Sequence, residues 1–253
     1  MNIITILFSR VRDKLWRKRP PLTPKALQGR EYDRQTFAVF AKVLKRDSCC
    51  LDIGAHKGSI LKEMIRLAPR GEHHAFEPLP YLAKRLRGKF RRVHIHEVAV
   101  ADQAGSASFC FVENAPAWSG LRLRDYEFGQ PVITPIEVQV ARVDDLVSKE
   151  LPVTLIKLDV EGGEYHALLG AVDTIRRSRP YIVFEAEEPS TGKYGVSPEA
   201  LFDLIASDFG LQVSTMQRWL ENQPPYSRQE FHDNWHHGNE FYFLAYPHDH
   251  SAL

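Results

Sequence analysis

Apolar and polar positions follow two alternating patterns along the chain, one typical of buried strands and the other of amphipathic helices. Four short runs are rich in apolar residues, which is the pattern of strands covered on both faces of a sheet. They lie at 48–54, 73–78, 154–160 and 180–187. Helical spacing follows the first three runs, at 60–68, 81–90 and 164–177. Repeated strand–helix units predict an α/β fold, with helices on both faces of a mostly parallel sheet.

The remaining segments extend this sheet and add an excursion from it. We expect a third strand at 94–102 and a last strand at 241–247. Between them, 106–112 and 133–143 alternate apolar and polar residues, which predicts a hairpin. Its connecting segment contains Trp118, whose ring offers a flat face to a sugar. The alternative is a surface loop with one packed aromatic residue.

Acidic residues close four of the predicted strands. They are Asp52, Glu77, Asp159 and Glu185. Ligands of open α/β sheets bind beyond the carboxyl ends of the strands, where the strand order reverses. Four carboxylates on one edge would repel one another unless a cation, or a set of hydroxyls and amines, lies among them. This edge is therefore the predicted ligand site.

The turn after the first strand indicates the kind of ligand. It reads Asp52-Ile-Gly54-Ala-His-Lys-Gly58, which is neither a dinucleotide fingerprint nor a phosphate-binding loop. An acid inside the turn disfavours a pyrophosphate and suits a ligand with an ammonium group. Glu77 follows 25 positions later, where a carboxylate can accept both hydroxyls of a ribose. A nucleoside that carries an amino acid, S-adenosylmethionine, fits both features, whereas a nicotinamide dehydrogenase does not.

Four blocks of this chain together resemble the FkbM family of S-adenosylmethionine-dependent methyltransferases. They are the glycine turn at 52–58, Phe-Glu-Pro at 76–78, Val-Ala-Val-Ala-Asp at 98–102 and Ile-Lys-Leu-Asp-Val-Glu-Gly-Gly-Glu at 156–164. The last block is the specific one, and the resemblance covers about residues 48–187. It implies a Rossmann-like class I methyltransferase sheet of seven strands with the last one antiparallel. It also implies O-methylation of a hydroxyl on a sugar, glycan or secondary metabolite.

The resemblance assigns cofactor contacts position by position. The methionine part would be held by Asp52, Gly54, Ala55 and Gly58. Glu77 would accept the ribose hydroxyls, and Val98 and Ala99 would border the adenine. Two positions depart from the family: His56 stands where Asn is usual, which changes a contact to the carboxylate end of the cofactor. Gly163 stands where Ala is common, which costs the helix start about 1 kcal/mol.

Methyl transfer to oxygen requires alignment of two groups and removal of a hydroxyl proton. Asp159 is the first candidate, either as the general base or as an oxygen ligand of Mg²⁺ with help from Glu185. Glu161 and then Glu164 are the next candidates. Acids at these positions also favour the dipole of the following helix without any catalytic role.

Histidines near the C-terminus supply a further candidate base. His236 is of the residue type that most often serves as a general base, and it belongs to the group His232, His236 and His237. The spacing of His232 and His236 could hold zinc on a helix. With Trp235 and Gly238 among them, we interpret the segment as a polar loop and predict no metal ligands there.

The charge divides the chain into two parts. The total is +1, but residues 1–30 hold eight bases and one acid, so they carry +7 and 31–253 carry −6. Residues 1–20 combine these bases with apolar residues at helical spacing. This pattern predicts either a helix on an anionic membrane surface or a docked or frayed helix with a solvated basic face. We expect a basic N-terminal segment at 1–30 and the methyltransferase domain at 31–253.

Composition limits the classes of binding partner and the cellular compartment that we expect. An acidic domain disfavours nucleic acid, so we expect a small-molecule or glycan acceptor. Three cysteines, two of them adjacent, give no disulfide framework, and no apolar run reaches the roughly 18 residues that span a bilayer. We therefore expect a cytoplasmic protein, peripheral to the inner face of the membrane if residues 1–20 bind lipid. Two alternatives stay open: a methyltransferase that acts on nucleic acid or protein, and a non-catalytic nucleotide-binding module.

Overall fold

A computed structural model describes residues 24–126, 129–238 and 240–248. The predicted amphipathic segment at 1–20 lies outside these residues. The first helix, α1, runs from Pro24 to Val43 and so crosses the boundary expected at residue 30. The division at that residue stays a prediction. Among the described residues, no helix combines the length and the apolar character needed to cross a membrane.

Across the described residues, ten strands form two sheets. In chain order they are β1 (Cys49–Ile53), β2 (His73–Phe76), β3 (His94–His96), β4 (Ala99–Val100), β5 (Gly105–Val112), β6 (Ile133–Ala141), β7 (Val153–Leu158), β8 (Tyr181–Glu185), β9 (Leu211–Thr215) and β10 (Tyr242–Pro247). The main sheet has the order β3-β2-β1-β7-β8-β10-β9. Its last strand, β10, is antiparallel to both neighbours, and the other pairs are parallel. This confirms the predicted fold class, a seven-stranded Rossmann-like sheet with an antiparallel last strand.

Short helices connect the strands. They are α2 (Ser59–Leu67), α3 (Pro80–Lys89), α4 (Val143–Leu146), α5 (Glu164–Leu169), α6 (Val172–Ser178), α7 (Glu188–Thr191), α8 (Pro198–Asp203), α9 (Met216–Leu220) and α10 (Arg228–His237). Consecutive residues of β2 show that both sheet faces are covered, since strand neighbours point to opposite faces. Ala75 packs with Leu61 of α2 and Leu86 of α3, whereas Phe76 belongs to the larger core that includes α5, α6, α8 and α10.

Two predicted elements are divided in the structure. The strand expected at 94–102 is two strands: β3 pairs with β2 in the main sheet, and β4 pairs with β6 in the small sheet β4-β6-β5. The helix expected at 164–177 breaks between α5 and α6. A Cβ on Gly170 at this break would lie 2.2 Å from the carbonyl oxygen of Ala101, so the backbone passes too close for any side chain. The predicted hairpin is confirmed as β5 and β6 in antiparallel register.

The segment expected to be a polar loop near the C-terminus is a helix, so that prediction is wrong. Ser227 and Glu230 form a reciprocal capping box at the start of α10, and Gly238 ends it with a left-handed conformation. Phe231 and Trp235 face the core from this helix. Capping and burial together outweigh the polar composition that suggested a loop.

Candidate active site at the carboxyl ends of the strands

The strand order places a cavity at the point where the chain reverses direction across the sheet. From β1 the chain builds outward through β2 and β3, and from β7 it builds to the other side, so a crevice opens beyond these two central strands. The cavity has an empty volume of about 540 Å³, its open mouth included. Six predicted site residues line it: Gly54, His56, Glu77, Ala99, Asp159 and Glu161.

Gly54 lets the turn after β1 press against the end of β7. Its φ is +86°, and a Cβ there would lie 1.8 Å from the carbonyl oxygen of Asp159. The N–H groups of Gly54 and Ala55 both donate to the carbonyl of Phe76 at 3.0 Å, which joins this turn to the end of β2. The turn is therefore held between the two neighbouring strands, and no larger residue fits at position 54.

Glu77 is buried at the end of β2 with its carboxylate fixed by two backbone donors. Oε2 accepts from the N–H of His56 at 2.8 Å, and Oε1 accepts from the N–H of Leu79 at 2.9 Å. Burial raises the pKa of Glu77 to about 7, although both N–H groups oppose the shift. Each carboxylate oxygen keeps lone-pair capacity for a further donor, so this group can accept two hydroxyls from a ligand in the cavity.

Asp52 lies within β1, buried and outside the cavity lining. Burial raises its pKa to about 7, against the opposing charge of Lys157. Among the described residues, no hydrogen-bond donor reaches its Oδ2. The Nε2 atom of His56 likewise has no hydrogen-bond partner in the described part of the chain, and this ring lines the cavity. Of these two atoms, Nε2 of His56 is the one at the cavity, where a ligand with an amino acid end can satisfy it.

The outer part of the cavity is apolar. Leu79, Ala99, Val100 and Phe109 are buried there and pack from the end of β2, from β4 and from β5. Val98 does not line the cavity. It is half-buried against the main core, because the chain leaves β3 after His96 and joins the small sheet only at Ala99. Val100, which was not among the residues predicted to border the adenine, lines the cavity instead.

Asp159 follows β7 directly and is joined to the last strand. Its Oδ2 accepts from the hydroxyl of Tyr242 at 2.5 Å and from Nζ of Lys157 at 3.2 Å. Burial alone would raise the pKa of Asp159, but Lys157 and Tyr242 together hold it below its ordinary value. The pKa of the neighbouring Glu185 is raised well above its usual range by burial and by the Asp159 charge. Of this pair, Asp159 therefore carries the negative charge in preference to Glu185.

Arg124 bridges three segments around the cavity. Its guanidinium donates to Glu161, which follows β7, and to Glu187, which follows β8. The guanidinium also stacks 4.6 Å from the Trp118 ring, so one face of that ring is already covered. Burial and the Asp159 charge raise the pKa of Glu161 to about 8 despite the arginine. Sequence reasoning missed Arg124, since nothing in its polar surroundings distinguishes it from a surface arginine.

Glu164 fixes the shape of the turn that carries Glu161. Its Oε1 accepts from the N–H of Val160 at 2.9 Å and of Gly162 at 3.3 Å. The turn needs this support because Glu161 adopts φ +59° and Gly162 adopts φ +103°. Glu164 is fully buried and does not line the cavity, so its contacts are structural.

Besides Asp52 and Val98, three further predicted residues lie outside the cavity lining. Ala55 is buried in a small cluster on the α2 and α3 side of the sheet, and Gly58 begins α2 with φ +72°. Both belong to the turn and act through its backbone. The structure does not bring His236 to the cavity: its side chain is exposed on α10, and its ring packs 4.5 Å from that of His232. Phe231 and Trp235 occupy the buried face of that helix, which leaves His236 on the solvent side.

Comparison with known proteins agrees with this geometry. The chain matches the Methyltransferase FkbM domain family over residues 52–214. It is 30% identical over 179 residues to the 2-O-methyltransferase NoeI of Sinorhizobium fredii, covering 64% of this chain and 73% of that protein. It is 24% identical over 212 residues to the AMB antimetabolite synthetase AmbE of Pseudomonas aeruginosa, covering 69% of this chain but only 10% of that one.

A solved structure is also similar, the methyltransferase FkbM from Methylobacillus flagellatus. It is 17% identical with a TM-score of 0.49, and the match covers 80% of this chain and 44% of that one. The family match covers more than half of the chain and contains the glycine turn, Glu77 and the Asp159 turn. The chain therefore belongs to the FkbM family of S-adenosylmethionine-dependent methyltransferases.

Proposed function

We propose that this enzyme transfers a methyl group from S-adenosylmethionine to a hydroxyl of a sugar, glycan or secondary metabolite. The observation that carries the proposal is the pair of carboxylates, Glu77 and Asp159, that face one cavity from the ends of β2 and β7. Apolar side chains line most of the cavity around these two carboxylates, which is the usual make-up of a small-molecule site. The similarity to a 2-O-methyltransferase supports oxygen as the accepting atom.

The residues of the cavity fit S-adenosylmethionine along its length. Glu77 would accept the ribose hydroxyls, and the apolar outer part, with Ala99 and Val100, would border the adenine. The glycine turn, with His56, would hold the amino acid end. The bound cofactor supplies an electrophilic methyl group on a sulfonium. Asp159 supplies negative charge in the same cavity, which favours a cationic ligand.

Asp159 is the group we assign to accept the hydroxyl proton of the acceptor. It lines the cavity and is ionised at neutral pH, whereas the pKa of Glu161 is about 8 and that of Glu185 is raised well above its usual range. Lys157 and Tyr242 both donate to its Oδ2 and hold the carboxylate in place at the cavity. Glu161, held by Arg124, would orient the acceptor. His236 is too exposed on α10 to take this part.

We propose that methyl transfer needs no metal ion, because two cationic side chains already neutralise the carboxylates of the site. Asp159, Glu161 and Glu185 each offer an oxygen within 4.8 Å of the other two, which is a donor set that Mg²⁺ accepts. However, Lys157 already hydrogen-bonds Asp159, and Arg124 already hydrogen-bonds Glu161. These side chains supply the positive charge that a metal would bring. Loss of activity in EDTA, restored by added Mg²⁺, would contradict this part of the proposal.

A methyl-transfer screen tests the proposed function. Radiolabelled S-adenosylmethionine would be incubated with the protein and with hydroxyl-bearing sugars, glycans and lipid-linked glycans, and labelled product counted. We expect label in at least one of these acceptors and a sharp loss of turnover in Asp159→Asn, with S-adenosylmethionine binding retained. Label in nucleic acid or protein alone would replace the acceptor class, and near-normal turnover of Asp159→Asn would remove this residue from proton transfer.

A further inference from the structure

An edge of the main sheet collects imidazole and carboxylate groups that have no part in the proposed reaction. Glu72 precedes β2, His74 lies in β2, and His94 and His96 lie in β3. Parallel register pairs His74 with His94, so their side chains project from the same face of the sheet. Glu77 follows the opposite end of β2 from Glu72, and the side chains of this cluster are not among the residues that line the cavity.

The contacts within the cluster have the spacing of metal ligands. Oε1 of Glu72 lies 3.2 Å from Nε2 of His74 and 3.4 Å from Nε2 of His94. All three residues offer ligand atoms within 4.8 Å of one another. A tetrahedral zinc ion with ligands at about 2.0–2.1 Å separates neighbouring ligand atoms by roughly 3.4 Å. The two nitrogen–oxygen separations in the cluster match this value.

His96 supplies the outer support that a metal-bound histidine needs. Its Nε2 lies 3.0 Å from Nδ1 of His74. A His74 that binds metal through Nε2 must carry its proton on Nδ1 and donate it, so His96 must be neutral in order to accept. Stacking of His96 on Phe76 at 4.7 Å fixes its ring.

We propose that Glu72, His74 and His94 form a zinc site that fastens the edge strand β3 to β2. Two imidazoles and one carboxylate suit Zn²⁺, with water as a fourth ligand, whereas Mg²⁺ prefers oxygen ligands. The His74 side chain is 5% exposed, but those of Glu72 and His94 are 48% and 56% exposed, so an ion can enter from solvent. Because these ligands converge only in the folded chain, zinc stabilises it against unfolding.

Calorimetry on the full-length, untagged protein tests the site. Titration with zinc chloride should show one ion bound per chain, and thermal unfolding should shift to higher temperature with Zn²⁺ but not with Mg²⁺. Glu72→Gln and His94→Ala change exposed side chains, so both variants are expected to fold. Each should weaken zinc binding by at least 100-fold, more than the loss of an outer-shell partner, which costs roughly 10–100-fold.

Two variants complete the design. His96→Phe removes the acceptor for Nδ1 of His74 while it keeps an aromatic ring to stack on Phe76, and it should weaken binding by roughly 10–100-fold. His236→Ala is the matched control, because the exposed pair His232 and His236 is the alternative histidine site, and binding should be unchanged. The proposal would be overturned if the wild-type protein bound no zinc. A smaller loss in either ligand variant, or loss of binding in the control, would overturn it too.

Discussion

Replacement of Arg124 tests how the segment between β5 and β6 is fastened over the cavity. This guanidinium is 5% exposed and donates to Glu161 and Glu187, which are 14% and 13% exposed. Arg124→Met keeps the aliphatic volume but leaves both carboxylates without their cation. Removing one partner of a buried ion pair lowers the free energy of unfolding by about 3–5 kcal/mol. We expect about 3 kcal/mol at pH 7.5, because Glu161 is already largely protonated there.

The pH dependence of this loss follows from the pKa of Glu161, which is raised to about 8. Between its unfolded value and pH 8, the folded wild type and the folded variant both hold this proton, so the difference between them is constant. Above pH 8 the wild-type carboxyl ionises against Arg124, whereas the variant keeps its proton. The loss should therefore grow by up to about 1.4 kcal/mol per pH unit above 8.

Denaturant unfolding of the wild type and of Arg124→Met at pH 7.5 and pH 9 measures the loss of unfolding free energy and its increase above pH 8. Arg228→Met is the matched control, since its pair with Asp203 has side chains that are 54% and 46% exposed, and this variant should unfold like the wild type at both pH values. A loss below about 1 kcal/mol for Arg124→Met, or one equal to the control at both pH values, would refute the reasoning that this buried bridge secures the segment.

Three further predictions address the turns of the site. Gly54→Ala should abolish cofactor binding and lower the melting temperature. Gly88→Ala is the control in the same thermal and binding assays, because Gly88 has open space around it in a helix. This variant should leave stability unchanged or raise it by about 0.5–1 kcal/mol. The folded pKa of Glu164 is raised to about 7, so the unfolding free energy of the wild type falls as pH rises from about 4.5 to 7. Glu164→Gln lacks this fall, so it should gain up to about 3 kcal/mol relative to the wild type across that window. Parallel denaturant titrations measure the difference, and a constant difference would contradict this prediction. Tyr242→Phe removes a hydrogen-bond donor to Asp159. The acid limb of the kcat–pH profile should therefore move to higher pH by about 1–2 pH units. An unshifted limb would show that Asp159 is not the group that titrates there.

The central strands and their acids could be predicted because local sequence determines them. The runs that became β1, β7 and β8 are buried on both faces, so they are apolar without alternation, and the acids at their ends stand out. Parallel pairing then brings Glu77 and Asp159 to one edge, whatever the details of the loops.

Features that depend on contacts between distant segments could not be predicted. The break at Gly170 exists because the backbone of Ala101 passes against it, which no local pattern reveals. Arg124 reaches its partners 37 and 63 positions away. The cluster of Glu72, His74 and His94 likewise depends on the register of β2 and β3, and in the sequence these histidines read only as polar residues of strands.

Binding of S-adenosylmethionine to the wild type and to Glu77→Ala, measured by isothermal titration calorimetry, tests the central claim most directly. If Glu77 accepts the ribose hydroxyls, the variant should bind at least about 100-fold more weakly, since hydrogen bonds to a charged group contribute about 1.5–3 kcal/mol each. Glu97→Ala, an exposed acid beyond β3, should bind like the wild type. Absence of binding to the folded wild type, or equal binding by Glu77→Ala, would contradict the assignment of this cavity to the cofactor.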